Sequence, residues 1–364
     1  MKKKNIVFIT ADITLRGGIE RVVANTANYL ATKKIPAIII SVFRSHSGPF
    51  YTISEGVKII YLSSFPFSRI SNWLISPYLI LVNRILINML SPGSLMVMIP
   101  PYLIFIRAFW AISPSLVVYS EHMSFSAAGP LFKLFRRKCL SRLKNVHVLN
   151  KTSELQYTQL GICSLVIPNA VTIFDHQEQF KFRPISDLPK PTPLNVLSVG
   201  RLEAEKGFSD IVRISSHMHN YEGIFFTIVG DGKEKKMLVK MAKSLKLKNL
   251  EFKPATRNIE DVYVDHICLL ITSRSETFPM VMLEAMSFGL IPICYDDLDG
   301  PRDIVTNGVD GFFVGRGDLS AILKILLKLN NDRVLTHELS CAAIVKAKKY
   351  SQDIINPRML SLLT

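Results

Sequence analysis

Two glutamates, Glu276 and Glu284, stand with seven residues between them in "SETFPMVMLEAMSFG", a run otherwise apolar enough to read as a buried helix. A carboxylate in an apolar setting is costly unless something hydrogen-bonds it, so polar partners are expected there. A carboxylate that accepts from two vicinal hydroxyls is a natural way to hold a ribose. The backbone from Thr277 through Phe278 and Pro279 to Met280, where the helix starts, can meet a phosphate. Pro279 fits the first helical turn and Gly289 the helix end. The alternative is a helix with one exposed glutamate, against which the apolar faces of Met280 to Phe288 speak.

Other residues of matching chemistry recur after apolar runs. Arg201 and Lys206 flank a turn in "VGRLEAEKG", and two cations so spaced can close on a diphosphate, the arginine as a fork and the lysine as a point charge. Glu203 and Glu205 lie between them and offer the opposite reading, a solvated, neutralised pair. Gly230, Asp231 and Gly232 suit close backbone approach or a plain tight turn, and Gly17 and Gly18 open a helix whose amino terminus favours an anion. Glu121 and His122 end "VVYSEH", where the imidazole is either structural or a donor to a sugar hydroxyl or phosphate oxygen. The run 131–145 sets Lys133, Arg136, Arg137, Lys138 and Arg142 opposite Leu131, Leu134, Phe135, Leu140 and Leu143: a packed helix with a solvated basic face, or one that meets anionic lipid.

Positioning these groups requires strand ends. Apolar β-like runs at 5–10, 37–43, 57–62, 94–99, 115–122, 145–150 and 163–171 alternate with helical patterns, which implies βαβ units and a doubly wound parallel sheet. Residues 172–193, closing on Pro189, Pro191 and Pro193, read as a linker. The alternation then restarts at 194–202, 223–232, 250–255, 267–276, 290–297 and 310–315. The expected organisation is an N-terminal lobe over 1–171, the linker, and a C-terminal lobe over 194–345, with a last helix near 346–364 that packs back on the first lobe. At 364 residues two domains are the natural expectation. In such sheets ligands bind beyond the carboxyl ends of the strands, where these residues fall.

The net charge of +15 is unevenly spread: residues 1–168 hold 19 Lys and Arg against 5 Asp and Glu, residues 169–364 hold 25 against 24. That asymmetry points to an acidic partner for the first half, whether nucleic acid, an anionic membrane surface or a phosphorylated substrate. The five cysteines, Cys139, Cys163, Cys268, Cys294 and Cys341, form no CxxC pair, which favours a reducing compartment and speaks against a thiolate metal site. "MKKKNIVFITADIT" reads as a first strand, because Asp12 ends its apolar run too early for a signal peptide. The apolar segments 74–90 and 95–118 carry Arg84 and Arg107 and are broken by prolines, so neither is expected to span a membrane.

Taken in order, "SVGRLEAEKG", "TIVGDG", "SETFPMVMLEAMSFGLIPI" and "GPRDIVTNGVDGFFV" resemble the carboxyl-terminal lobe of retaining GT-B glycosyltransferases of family 4, and "GGIERVV", "SEH" and "IPNAV" resemble features of the amino-terminal lobe. The resemblance implies an α/β chain of two Rossmann-like doubly wound parallel-sheet lobes facing across a cleft. It implies a nucleotide-sugar donor, a UDP-sugar, held mainly by the second lobe, an acceptor on the first, and retention without a metal or other cofactor. By position, Arg201, Lys206, Gly17, Gly18 and the segment Thr277, Phe278, Pro279 and Met280 would meet the diphosphate; Glu284, with Gly230 and Asp231, the nucleoside; Glu276 the transferred sugar; and His122 the reaction centre. "GPRDIV" looks like bacterial transferases that add hexoses or N-acetylhexosamines to lipid-linked or lipopolysaccharide glycans. This favours a cytoplasmic enzyme peripheral on the inner membrane face, with an anionic membrane surface rather than nucleic acid as partner. Two other classes stay open: a UDP-sugar epimerase or hydrolase on the same architecture, and a non-catalytic nucleotide-sensing membrane protein. Pro279, Met280 and Asp303 depart from the commoner pattern and leave donor selectivity open.

Overall fold

The computed structural model describes residues 5–66, 85–90, 92–98, 114–122, 145–171, 193–256 and 258–364, together with 137, 140, 141 and 143. The chain divides into two compact units, Met1–Ala170 with Asp353–Thr364, and Val171–Gln352.

The first unit is built on strands β1 (Ile6–Thr10), β2 (Ala37–Ser41), β3 (Val57–Tyr61), β4 (Ser94–Met98), β5 (Val117–Ser120), β6 (Asn145–Val148) and the short β7 (Leu165–Val166). They form one parallel sheet in the order β3-β2-β1-β4-β5-β6-β7. Strands β1, β2, β4 and β5 are buried along their whole length, as continuous apolar runs must be when both faces of a parallel sheet are covered. Helix α1 (Gly18–Thr32) lays Val22, Val23, Ala27 and Leu30 against one face, in a cluster with Phe8, Ile39 and Met96. Ile355, Met359 and Leu363 of the chain's last helix, Gln352–Leu363, join that cluster, so the chain closes on the sheet it began. The other face gathers Ile9, Ile40, Val97, Tyr119, Leu140 and Tyr157. The expected strand over 163–171 is reduced to two residues, with Val171 making only an isolated bridge to Ser351.

The second unit carries β8 (Leu194–Val199), β9 (Ile224–Val229), β10 (Leu250–Lys253), β11 (Cys268–Ile271), β12 (Ile291–Tyr295) and β13 (Phe312–Val314), all parallel, in the order β10-β9-β8-β11-β12-β13. Both sheets are α/β and doubly wound, as the alternation predicts. In each, strand order reverses beside the first strand: between β1 and β4, and between β8 and β11. At such a switch point the loops after the two neighbouring strands diverge to opposite faces and leave a crevice at the carboxyl ends.

Of the basic run 131–145, Leu140 and Leu143 are buried and Arg137 is exposed. Lys133, Arg136, Lys138 and Arg142 lie outside the described residues, as do 172–192. Among the described residues no helix is long and apolar enough to cross a membrane.

Candidate active site

In the second unit the switch point brings together the loops after β8 and β11. Three bonds lace them: Arg274 N–H donates to the Glu205 carbonyl at 2.7 Å, Thr272 Oγ1 to the Gly207 carbonyl at 3.0 Å, and Lys206 Nζ to Glu276 Oε1 at 2.5 Å. Gly207 sits at φ +66 with its Cβ position 2.1 Å from the Thr272 carbonyl oxygen, so the approach excludes any side chain. Lys206 and Glu276, 70 residues apart, are thereby an ion pair with 24% and 15% of their side-chain surfaces exposed. Ser273 Oγ adds a second bond to the same oxygen at 2.8 Å. Among the described residues Glu276 Oε2 accepts nothing, and an ammonium has donors beyond the one used here. The pair thus offers a fixed acceptor and a fixed donor at one spot.

Arg201 instead pairs with Glu205 at 2.8 Å, the two side chains 63% and 56% exposed. Such an exposed pair contributes little and is readily exchanged for a better anion. The solvated reading thus describes the resting contact of Arg201, while Lys206 is committed to Glu276.

Helix α2 (Met280–Ser287) starts at the Glu276 loop, with Pro279 as its N-cap rather than its first residue and Gly289 at φ +82 just past its end. Pro279 has no N–H, so the amides offered here are those of Phe278 and Met280. The loop is seated on the next helix, Asp299–Ile304: Gly300 N–H donates to the Glu276 carbonyl at 3.0 Å, and a Cβ on Gly300 would lie 2.3 Å from the Thr277 carbonyl oxygen. Glu284, in the middle of α2, is 1% exposed, and its Oε2 accepts from the Tyr263 hydroxyl at 3.3 Å. That hydroxyl answers part of the energetic question its sequence poses.

Gly230 and Gly232 have a different cause from a ligand. A Cβ on Gly230 would lie 1.9 Å from the Gly200 carbonyl oxygen, and one on Gly232 2.5 Å from that of Leu202. The two loops are bonded backbone to backbone, Gly200 N–H to the Val229 carbonyl at 3.1 Å and Leu202 N–H to that of Asp231 at 2.9 Å. The Asp231 side chain is 65% exposed and lies 3.6 Å from Lys235.

Sequence reasoning missed the brace beside Glu276. Arg316, just after β13, grips Asp297 bidentately at 2.5 and 2.7 Å, donates to the Ser273 carbonyl at 3.0 Å and lies 4.7 Å from the Tyr295 ring centroid. Tyr295 in turn donates to Asp210 Oδ2 at 2.8 Å. Burial and that aspartate raise the Tyr295 pKa, which keeps the phenol protonated and donating. An arginine directly after a strand, in "FFVGRGD", was the available signal.

In the first unit the loop after β1 is pinned by Asp12, fully buried, which accepts from Thr14 N–H at 2.9 Å, Thr14 Oγ1 at 2.6 Å and Ser45 N–H at 2.8 Å. Gly17 caps α1, but a Cβ there would lie 2.0 Å from Glu20 Oε2. A carboxylate therefore already covers this helix start, and an incoming phosphate would meet like charge at Gly17. Gly18, by contrast, has open space around it. After β5, Glu121 turns inward, 2% exposed, and takes the hydroxyls of Tyr157 at 2.7 Å and Tyr119 at 3.2 Å. His122 Nε2 lies 2.9 Å from Ser120 Oγ, which is 2.6 Å from His147 Nδ1. Burial and the neighbouring His147 push the His122 pKa down to about 3, and burial pushes that of His147 to about 4. Among the described residues no group of three or more His, Cys, Asp or Glu could hold a metal ion.

Known proteins resemble this chain in sequence and in fold. The family model described as "Glycosyl transferases group 1" matches residues 179–349, the stretch that holds Arg201, Lys206, Glu276 and Glu284. A Haemophilus influenzae protein named only as an uncharacterized glycosyltransferase is 25% identical over 97% of this chain and 98% of its own. A Campylobacter jejuni α-1,4-N-acetyl-D-galactosaminyltransferase, whose name gives its acceptor as a GalNAc-GalNAc-diNAcBac-PP-undecaprenol, is 24% identical over 98% of both chains. Among solved structures, Anabaena HepE in complex with UDP and glucose superposes with a TM-score of 0.75 at 17% identity, covering 99% of each chain. Two parallel-sheet units of this topology are the GT-B fold, and the chain is a glycosyltransferase whose residues 179–349 match the group 1 model.

Proposed function

We propose that the chain moves a hexose or N-acetylhexosamine from a UDP-sugar to a lipid-linked, lipopolysaccharide or capsule glycan, with retention of the anomeric configuration and without a metal, at the cytoplasmic face of the membrane. The observation that carries this reading is the Lys206–Glu276 pair at the β8/β11 switch point, beside the start of α2. Lys206 keeps donors for a phosphate oxygen, and Glu276 Oε2 accepts from a sugar hydroxyl. Arg201 exchanges Glu205 for the diphosphate, the amides of Phe278 and Met280 add fixed dipoles, and Glu284 receives the ribose.

In transfer the bond from the anomeric carbon to the β-phosphate oxygen breaks, and a bond to the acceptor oxygen forms on the same face. The acceptor's proton passes to the departing phosphate. Negative charge grows on that phosphate in the transition state, which is where preoriented cations and amides lower the barrier. The UDP choice follows the nucleotide held by HepE, and the lipid-borne acceptor follows the undecaprenol diphosphate named for the Campylobacter relative. The excess of cations over 1–168 supports an anionic surface as partner.

The test is a panel of UDP-, GDP- and ADP-sugars offered to the purified chain with a lipid-diphosphate oligosaccharide, with the product linkage read by NMR. An α-linked product made from an α-linked UDP-sugar is expected. Inverted linkage, or donor turnover that is indifferent to acceptor, would refute the reading; the latter is what a hydrolase or epimerase gives.

A further inference from the structure

Three side chains of the first unit form a hydrogen-bonded chain that ends on a backbone carbonyl: His122 Nε2 to Ser120 Oγ at 2.9 Å, Ser120 Oγ to His147 Nδ1 at 2.6 Å, and His147 Nε2 to the Ile167 carbonyl oxygen at 2.6 Å. Ser120 and His147 are 3% and 0% exposed, while His122 keeps part of its surface open. The role drawn from this chain rests on the proposed transferase function and on the family resemblance, which sets His122 at the reaction centre.

The direction of each bond is fixed from the carbonyl backwards. A carbonyl only accepts, so His147 must carry its proton on Nε2. His147 is neutral near pH 7, its pKa being pushed to about 4, so Nδ1 bears a lone pair and the Ser120 hydroxyl donates to it. The hydroxyl has a single proton. Its oxygen therefore accepts from His122, which must hold its own proton on Nε2. A neutral His122 then has an unprotonated Nδ1.

We propose that Ser120 and His147 are positioning residues that lock His122 in the Nε2–H tautomer, so that it presents the Nδ1 lone pair to a sugar hydroxyl and acts as a hydrogen-bond acceptor. This reverses the sequence expectation, in which the imidazole donates. A phosphate oxygen, having no proton to give, is excluded as its partner, and a hydroxyl of the donor sugar or the acceptor is selected. The neighbouring charged groups do not alter the assignment. Glu121 is turned inward onto two tyrosine hydroxyls, and Arg358, which donates to the Val166 carbonyl at 3.0 Å, only disfavours a second proton on His147.

The test is histidine-selective 15N NMR of the whole chain, with His122 and His147 assigned by substitution, alongside transfer kinetics. The wild-type spectrum is expected to show pyridine-like Nδ1 and pyrrole-like Nε2 for both residues. In Ser120→Ala the His122 resonances should move to a mixture of tautomers and kcat should fall on the order of tenfold with little change in donor KM, while Ser120→Thr restores both. A protonated Nδ1 on His122 in the wild type would overturn the inference, and so would full activity in Ser120→Ala. The tautomer is read without any substrate, so failure to find a donor or acceptor would count against the transferase function and not against the tautomer. Should Ser120→Ala fail to fold, the wild-type tautomer decides alone.

Discussion

The two units solve the same problem with different chemistry. Each has a doubly wound parallel sheet with a switch point beside its first strand, and candidate site residues just past strand ends. In the second unit these are ions: Lys206 with Glu276, Arg201 with Glu205, Arg316 with Asp297. In the first unit the corresponding chain after β5 is neutral, His122 to Ser120 to His147, with a buried glutamate held by tyrosines beside it. An exposed pair such as Arg201–Glu205 can be re-partnered by an incoming diphosphate at small cost. A neutral chain anchored on a carbonyl cannot be re-partnered without leaving a buried polar atom unmet, so it suits orientation instead. Net charge is therefore a poor guide to role here: the half with the larger positive excess keeps its candidate catalytic group uncharged.

The ionic side is hit hardest by Glu276→Ala. It removes the proposed acceptor for the transferred sugar and frees Lys206, so kcat/KM should drop by roughly 10²–10³, with Glu276→Gln losing less. Wild-type kinetics in Glu276→Ala would move the sugar site elsewhere. Next in size is Gly230→Ala, whose Cβ would collide with the Gly200 carbonyl at 1.9 Å. We expect a loss of about 2 kcal/mol or more, seen as a melting temperature several degrees lower.

The neutral side is tested by acid. His122 and His147 titrate near 6.5 when unfolded but at about 3 and about 4 when folded, so the unfolded chain binds the protons first. The stability these neutral rings contribute is complete above pH 6.5 and drains away as the pH falls from there through about 4 for His147 and about 3 for His122. Urea titrations of the wild type should show that slope, and His147→Asn should flatten it. The smallest expected stability effect is that of Arg201→Ala, within about 0.5 kcal/mol for so exposed a pair. Its UDP-sugar KM should nonetheless rise on the order of tenfold, and an unchanged KM would leave the arginine merely solvated.

The fold was legible because parallel strands covered on both faces are uninterrupted apolar runs, and the punctuation between them is strong. That Lys206 and Glu276 share one site was legible through the family resemblance, while their direct pairing rests on a strand order that the sequence did not give. What escaped was whatever depends on side-chain direction. Gly230 announces a close approach, but its sequence cannot say that the approaching atom is the Gly200 carbonyl rather than a ligand. Gly17 reads as the start of a helix open to an anion, yet the Glu20 carboxylate lies against it. His147 reads as one letter of the strand "NVHV", and its meaning appears only when Ser120 and Ile167, remote in sequence, close on its two nitrogens.

Whether one ion pair at the β8/β11 switch point serves both phosphate and sugar can be decided by a double-substitution cycle on Lys206 and Glu276, read as kcat/KM for transfer from a UDP-sugar. Lys206→Ala and Glu276→Ala are each expected to cost about 10² or more, and the double variant should be scarcely worse than either, because the two act as a unit. Full additivity, or a single substitution that leaves transfer intact, would contradict that shared role.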